Sequence, residues 1–246
     1  MSKVYTFQKG VNFRQSTFHL PLAMSINKKY LSVFECDKSY HVYNRTNNKE
    51  LLFRSDDNYY YFLKQLDFYI SPIAETFAWN LLPNHFHFLI RIKSASAIKA
   101  WLNSIPNEKR TKTEKQFLLD NNLNLLVETA FKRLFTSYAM AFNKMHKRNG
   151  NLFSRTFKRV EILNDSQFTQ ALIYIHTNAQ KHGLVDDFSL YPWTSYHSIL
   201  SEKPTKILRH EVIEWFGGKE QFIVVHRESS DYFHKFEGMI EEEDDF

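Results

Sequence analysis

Two histidines separated by one residue, His85 and His87, are the groups in this sequence best suited to chemistry. They begin the return strand of a hairpin predicted over residues 73–92, after a turn at Pro83-Asn84. Side chains two apart on a strand point to the same face, separated by about 7 Å of backbone. The sequence therefore predicts two converging imidazoles, which can bind one divalent metal ion.

A tyrosine on a later helix supplies a second reactive group. An apolar stripe predicts this helix from Asn164 or Asp165, as its N-cap, to Gly183. At 100° per residue, Tyr174 lies about 120° from the centre of that stripe. Asn178 and Lys181 lie on the same side of the helix as Tyr174. These three side chains are therefore expected to share one face.

Together these groups are suited to phosphodiester chemistry. A divalent metal neutralises and orients a phosphate, and Asn178 is the candidate third metal ligand beside His85 and His87. A tyrosine has a pKa of about 10 and attacks as a phenolate only with help from the metal or from a cation, here Lys181. Cleavage through a phosphotyrosine needs this combination.

Each of these features also has an ordinary structural explanation. Histidine pairs on strands are usually structural or solvated, and helical tyrosines usually pack in a core. Asn178 could be a surface amide. His176 points to the other side of the stripe and receives no role, and His41 and His182 are expected to be incidental. Only the combination favours catalysis.

The charge pattern favours a nucleic-acid partner. The formal net charge is +5, and the segment from Thr129 to Val160 contains eight basic and no acidic residues. Clustered positive charge is typical of nucleic-acid sites, whereas solvated faces usually mix signs. The candidate DNA-contacting residues are Lys132, Arg133, Lys144, Arg155, Lys158 and Arg159.

Composition excludes several other classes of protein. No run of 18 apolar residues is present, so we expect no membrane span. A single cysteine, Cys36, excludes an internal disulfide framework and a multi-cysteine zinc site. We expect a cytoplasmic, nucleoid-associated protein, acting as a monomer or homodimer.

The predicted elements form an α+β arrangement. The order strand, helix, strand, strand, helix, strand is that of a ferredoxin-like split βαβ antiparallel sheet with packed helices, followed by the helix that carries Tyr174. We expect an N-terminal extension over residues 1–38, a main domain over 39–200 with a helical insertion at about 94–128, and a small C-terminal region over 201–246 with an acidic tail.

Four stretches in this order resemble the single-tyrosine HUH transposases, most closely the REP-associated tyrosine transposase branch. They are YHVYNR at 40–45, LPNHFH at 82–87, NLFSRTFK at 151–158, and YIHTN at 174–178 with KHG at 181–183 and YPWTSY at 191–196. Ala179 departs from the family's usual proline, and Thr46 from its frequent glycine. Neither position touches the expected chemistry.

The resemblance implies a specific activity. It implies Mg²⁺ or Mn²⁺ bound by His85 and His87, and attack by Tyr174 on single-stranded DNA beside a hairpin to leave a 5′-phosphotyrosine. The expected function is thus a metal-dependent single-strand DNA endonuclease and strand transferase. A non-catalytic DNA- or RNA-hairpin binder and a phosphodiesterase that uses water remain alternatives.

Overall fold

Four antiparallel strands form the centre of the computed structural model, which describes residues 31–154 and 156–235. The strands are β1 (Ser39–Arg45), β2 (Ala74–Leu82), β3 (His85–Ile92) and β4 (Lys158–Ile162). Their order across the sheet is β2-β3-β1-β4, and each neighbouring pair is antiparallel. This order confirms the predicted ferredoxin-like, α+β fold.

Eight α-helices accompany these strands within the described residues. They are α1 (Asp56–Tyr69), α2 (Ala95–Ser104), α3 (Lys112–Asp120), α4 (Leu123–Met145), α5 (Asp165–Lys181), α6 (Tyr196–Leu200), α7 (Arg209–Trp215) and α8 (Lys219–Lys235). Helix α4 begins six residues before the basic segment, so the polar stretch expected at 94–128 contains its first turn and a half.

The two faces of the sheet are covered by different helices because the strands alternate. On β3, Phe86, Phe88 and Ile90 enter the larger core with side chains of α1 and α4. Leu89 enters a second core with side chains of α5 and α8. The period of two residues therefore places His85 and His87 on the face that α5 covers.

The extension, the C-terminal region and the insertion within the predicted main domain contribute to the two cores. Phe34 stacks on Phe131 of α4, and Phe117 of α3 is buried in the larger core. Phe222 of α8 is fully buried in the second core, against α5. The described parts of the extension, the insertion and the C-terminal region are thus integrated with the sheet. Residues 1–30 and the acidic tail lie outside the described residues.

Candidate active site

His87 lies at the centre of the site, in the middle of the sheet. It is 3% exposed, and its Nδ1 is 2.9 Å from Nε2 of His41 on the neighbouring strand β1. Burial lowers the pKa of His41 to about 4 and lowers the pKa of His87 well below its ordinary value, an effect that the neighbouring histidines and Lys181 reinforce. Both rings are therefore neutral near pH 7, as metal ligands must be.

His85 lies next to His87 at the start of β3. Their ring centroids are 5.1 Å apart, and the rings are almost perpendicular. Nδ1 of His85 is 2.7 Å from the side-chain oxygen Oδ1 of Asn84, an acceptor, so His85 donates from Nδ1. Its Nε2 keeps a lone pair and is buried.

Helix α5 is held in a defined position over these histidines. Asn164 caps it, because its side chain accepts a hydrogen bond from the backbone of Gln167. The helix ends before Gly183, whose φ of +66° suits glycine. From β2, the Asn80 amide donates to the carbonyl of Ile175 at 2.6 Å, which joins the helix to the sheet.

Tyr174 lies against the histidines, as one face of α5 meets the sheet. Its ring centroid is 5.6 Å from that of His87 and 6.0 Å from that of His41. Lys181 places its ammonium 5.2 Å from the centre of the Tyr174 ring. The structure thus brings Tyr174 and Lys181, both on α5, next to histidines that are distant in the sequence.

Asn178 is the most unusual side chain of the site. It is 0% exposed, and neither atom of its amide has a hydrogen-bond partner. Tyr174 contacts His87, and His182 contacts His85 with ring centroids 5.1 Å apart. Because Asn178 lies midway between 174 and 182 on the same helix face, it lies opposite the histidine pair.

These buried atoms fit a divalent cation. An unsatisfied buried polar group costs about 1–3 kcal/mol, and Nε2 of His87 also has no hydrogen-bond partner. Two imidazole nitrogens suit a divalent transition-metal ion, and an amide oxygen is a ligand of the kind that Mg²⁺ and Mn²⁺ prefer. Across residues 31–154 and 156–235, no three His, Cys, Asp or Glu side chains form a metal cluster.

The basic residues predicted to contact DNA do not form a single patch. Lys158 on β4 lies on the site's face, with its ammonium 5.7 Å from the centre of the Tyr43 ring, which stacks on His87. Lys132, Arg133 and Lys144 are exposed on α4, on the opposite side of the sheet. Lys132 and Arg133 also form ion pairs at 3.4 Å, with Glu128 and Glu114 respectively.

Arg159 needs a correction, because its side chain is committed to the fold. It is 6% exposed and pairs with Glu128 at 2.5 Å, and its guanidinium lies 5.0 and 5.3 Å from the centres of the Phe34 and Phe157 rings. Adjacent residues on a strand face opposite ways, so Lys158 and Arg159 cannot serve the same surface. Arg159 therefore leaves the set of candidate DNA contacts, and Arg155 lies outside the described residues.

Sequence reasoning missed two partners of the histidine pair. His41 was expected to be incidental, and Asn84 was treated only as part of a turn, yet each binds the Nδ1 of one histidine. The alternation of β1 did hold a usable signal. His41 and Tyr43 share one face of β1. Only the pairing of Tyr43 with His87 shows that this is the face of the sheet that carries His85 and His87.

His176 belongs to a separate hydrogen-bonded chain on the other side of α5. His226 donates from Nδ1 to the carbonyl of Phe222 at 2.7 Å, so its Nε2 accepts from Nδ1 of His176 at 2.9 Å. Nε2 of His176 accepts from the hydroxyl of Ser195 at 2.8 Å, which in turn accepts from the backbone of Trp79 at 2.9 Å. Every polar atom in this chain has a partner.

Comparisons with known proteins give one structural neighbour to report. No protein-family model and no curated protein sequence matches this chain. A solved structure of a REP-associated tyrosine transposase bound to a REP hairpin is similar over 74% of this chain and 89% of that chain, with 14% identity and a TM-score of 0.44. A similarity of this size does not assign the chain to a family. In the described part of the chain, no helix is long and apolar enough to cross a membrane.

Proposed function

We propose that this chain is a metal-dependent single-stranded DNA endonuclease and strand transferase with Tyr174 as its nucleophile. One observation carries the proposal. The Tyr174 ring lies 5.6 Å from His87, whose Nε2 is buried without a hydrogen-bond partner, as is the amide of Asn178 on the same helix. A reactive side chain beside buried, unsatisfied ligand atoms is typical of a metal-assisted active site.

His85, His87 and Asn178 would hold Mg²⁺ or Mn²⁺. Such an ion, when bound, neutralises charge on a phosphate and orients it for in-line attack. The protein's own contribution is to keep the His87 imidazole neutral through burial and to exclude water from the sheet side of the site. His87 is 3% exposed and Asn178 is 0% exposed.

Tyr174 would form the covalent bond. Its phenolate oxygen attacks the phosphorus, the bond from phosphorus to the 3′ oxygen breaks, and that oxygen takes up a proton. The products are a 5′-phosphotyrosine and a free 3′-hydroxyl, and the reverse reaction joins strands. Lys181 lies over the tyrosine ring, where its positive charge stabilises the phenolate.

The proposed substrate is single-stranded DNA beside a hairpin, following the family resemblance of the sequence. Lys158 and Tyr43 offer a cation and an aromatic ring next to His87, a combination suited to a phosphate and a stacked base. Lys132, Arg133 and Lys144 remain candidates for phosphate contacts on the other side of the sheet. We further propose that the protein acts as a monomer or homodimer at the nucleoid.

A trapping experiment tests the nucleophile. Labelled single-stranded oligonucleotides carrying varied hairpins and flanks are incubated with Mg²⁺ or Mn²⁺, resolved on a denaturing gel and mapped by mass spectrometry. We expect an adduct on Tyr174 that EDTA abolishes. Tyr174→Phe should bind the same oligonucleotides and form no adduct. Tyr43→Phe is the matched control, because Tyr43 also contacts His87, and it should keep the adduct.

The alternatives give different results in the same experiment. A phosphodiesterase that uses water would still cleave with Tyr174→Phe and form no adduct. A non-catalytic hairpin binder would form no adduct in any variant and bind equally well after His87→Ala. An adduct that persists in Tyr174→Phe would show that another residue is the nucleophile.

A further inference from the structure

His85 and His87 each make a hydrogen bond through Nδ1, His85 with the amide oxygen of Asn84 and His87 with the imidazole of His41. We propose that Asn84 and His41 are positioning residues that hold His85 and His87 in the tautomer protonated on Nδ1, so that both Nε2 lone pairs point toward α5. The consequence for metal affinity rests on the proposed function, whereas the tautomers themselves do not.

For His85 the partner decides the tautomer directly. Oδ1 of Asn84 accepts and cannot donate, so the proton lies on Nδ1 of His85, 2.7 Å away. Asn84 is itself held in place, because its carbonyl accepts from the backbone of Thr46 at 2.9 Å and from the Thr46 hydroxyl at 3.2 Å. The turn that precedes β3 is thus tied to the end of β1.

For His87 the burial of Nε2 decides the tautomer. The Nδ1 of His87 and the Nε2 of His41 are 2.9 Å apart, and either nitrogen can be the donor. A proton on Nε2 of His87 would be a buried donor without an acceptor, and such orphaned donors are rare in folded proteins. A proton on Nδ1, donated to His41, avoids this cost and leaves a lone pair on Nε2.

The sheet holds His41 in the position that this bond requires. Tyr43 pairs with His87, so His41 is the diagonal neighbour of His87 across the strands. The His41 ring contacts both side chains, with centroids 4.9 Å from Tyr43 and 5.1 Å from His87. Outer partners of this kind commonly fix the orientation of metal-binding histidines.

Four variants separate the hydrogen bond from the packing. His41→Phe keeps an aromatic ring beside Tyr43 and His87 and removes the acceptor nitrogen. His41→Gln supplies an amide oxygen as a substitute acceptor. Asn84→Leu removes the acceptor for His85, and Asn84→Asp keeps one. His197→Gln, at an exposed position on α6, is the control. Thermal unfolding identifies the variants that fold.

Two readouts are taken on each folded variant. Nitrogen-15 NMR of labelled histidines reports the tautomer in the metal-free protein, and electron paramagnetic resonance measures Mn²⁺ affinity. We expect Nδ1–H tautomers at His85 and His87 in the wild type. His41→Phe and Asn84→Leu should each shift the affected ring toward Nε2–H and weaken Mn²⁺ binding about 10- to 100-fold, while His41→Gln and Asn84→Asp retain the native tautomer.

The outcomes distinguish this inference from the proposed function. An Nε2–H tautomer of His87 in the wild type, or an unchanged tautomer in both His41→Phe and Asn84→Leu, would overturn the inference. If His41→Phe does not fold, the wild-type tautomer of His87 and the Asn84 pair still decide. Wild-type protein with the expected tautomers but no Mn²⁺ binding would refute the proposed metal site and leave the positioning roles intact.

Discussion

Two histidine clusters lie on the same side of the sheet and share helix α5, but they differ in how completely their polar atoms are hydrogen-bonded. In the His176 cluster, formed by His176, His226 and Ser195, every nitrogen and hydroxyl has a partner. In the His87 cluster, formed by His41, His85, His87 and Asn178, the Nε2 of His87 and both amide atoms of Asn178 have none.

We interpret this difference as one between a structural role and the proposed metal-binding role. A satisfied polar chain in a core links elements, and the His176 cluster joins α8, α5 and β2. A buried polar side chain without protein partners destabilises the fold, and such groups in native proteins bind water or an ion, store strain or take part in a reaction. Neighbouring histidines on one helix and sheet can therefore have unrelated roles, and hydrogen-bond partners distinguish them better than residue type does.

The largest expected effect is on activity and comes from Asn178. Asn178→Leu, a change of similar volume, should reduce DNA cleavage and Mn²⁺ affinity by more than about 100-fold, since it removes a proposed ligand rather than an outer partner. Its free energy of unfolding should stay equal or rise by about 1 kcal/mol, because a buried unsatisfied amide disappears. Urea unfolding and Mn²⁺ titration of the same preparation check both parts.

A marked loss of stability in Asn178→Leu would break the contrast between the clusters. It would mean that the amide of Asn178 has a structural partner in solution.

The next largest effect is on stability and comes from the other cluster. His226→Leu should lower the free energy of unfolding by about 1–3 kcal/mol, because Nδ1–H of His176 then remains buried without an acceptor. Mn²⁺ affinity of the folded protein should not change. Urea unfolding measures the first quantity. An unaltered urea midpoint would show that the hydrogen bonds of the His176 cluster make no net contribution to stability.

The lowered pKa of His226 predicts how stability depends on pH. Burial lowers the pKa of His226 to about 3, and the groups that titrate beside it are His176 and Tyr196. The unfolded chain then binds a proton that the folded chain does not, so this contribution is complete above about pH 6.5 and is lost as the pH falls below it.

For one histidine this loss is about 1.4 kcal/mol per pH unit between pH 6 and pH 4. The slope of unfolding free energy against pH should therefore be smaller in His226→Leu by about that amount. Equal slopes in the two proteins would show that His226 takes up its proton in the folded state.

The smallest effect concerns two adjacent basic residues on β4. Lys158→Gln should reduce the slope of log DNA affinity against log salt by about 0.7, the value for one phosphate contact on a single strand. Arg159→Gln should leave that slope unchanged and lower stability instead, because it leaves Glu128 without its closest ion-pair partner. Salt titrations of hairpin binding compare the two, and equal slopes for both variants would contradict the assignment of faces.

Local patterns predicted most of the sheet and helices α1 and α5. Strand β3 begins at His85 and ends at Ile92 as its alternation indicates, and α5 begins after Asn164 and ends before Gly183 as its stripe and end signals indicate. The core role of α8 was not predicted. Its apolar residues, such as Phe222, are buried only because α5 lies beside them, and no local period shows that contact.

The sequence by itself determined which side chains share a face. A period of two places His85 and His87 together on β3, and a period near 3.6 places Tyr174 and Asn178 together on α5. Tertiary structure decided which faces meet. Strand order and helix packing arise from contacts between residues distant in the sequence, and these bring His41 to His87 and place Tyr174 against both rings. The same contacts turned Lys158 toward the site and Arg159 into the core, a choice that alternation alone leaves open.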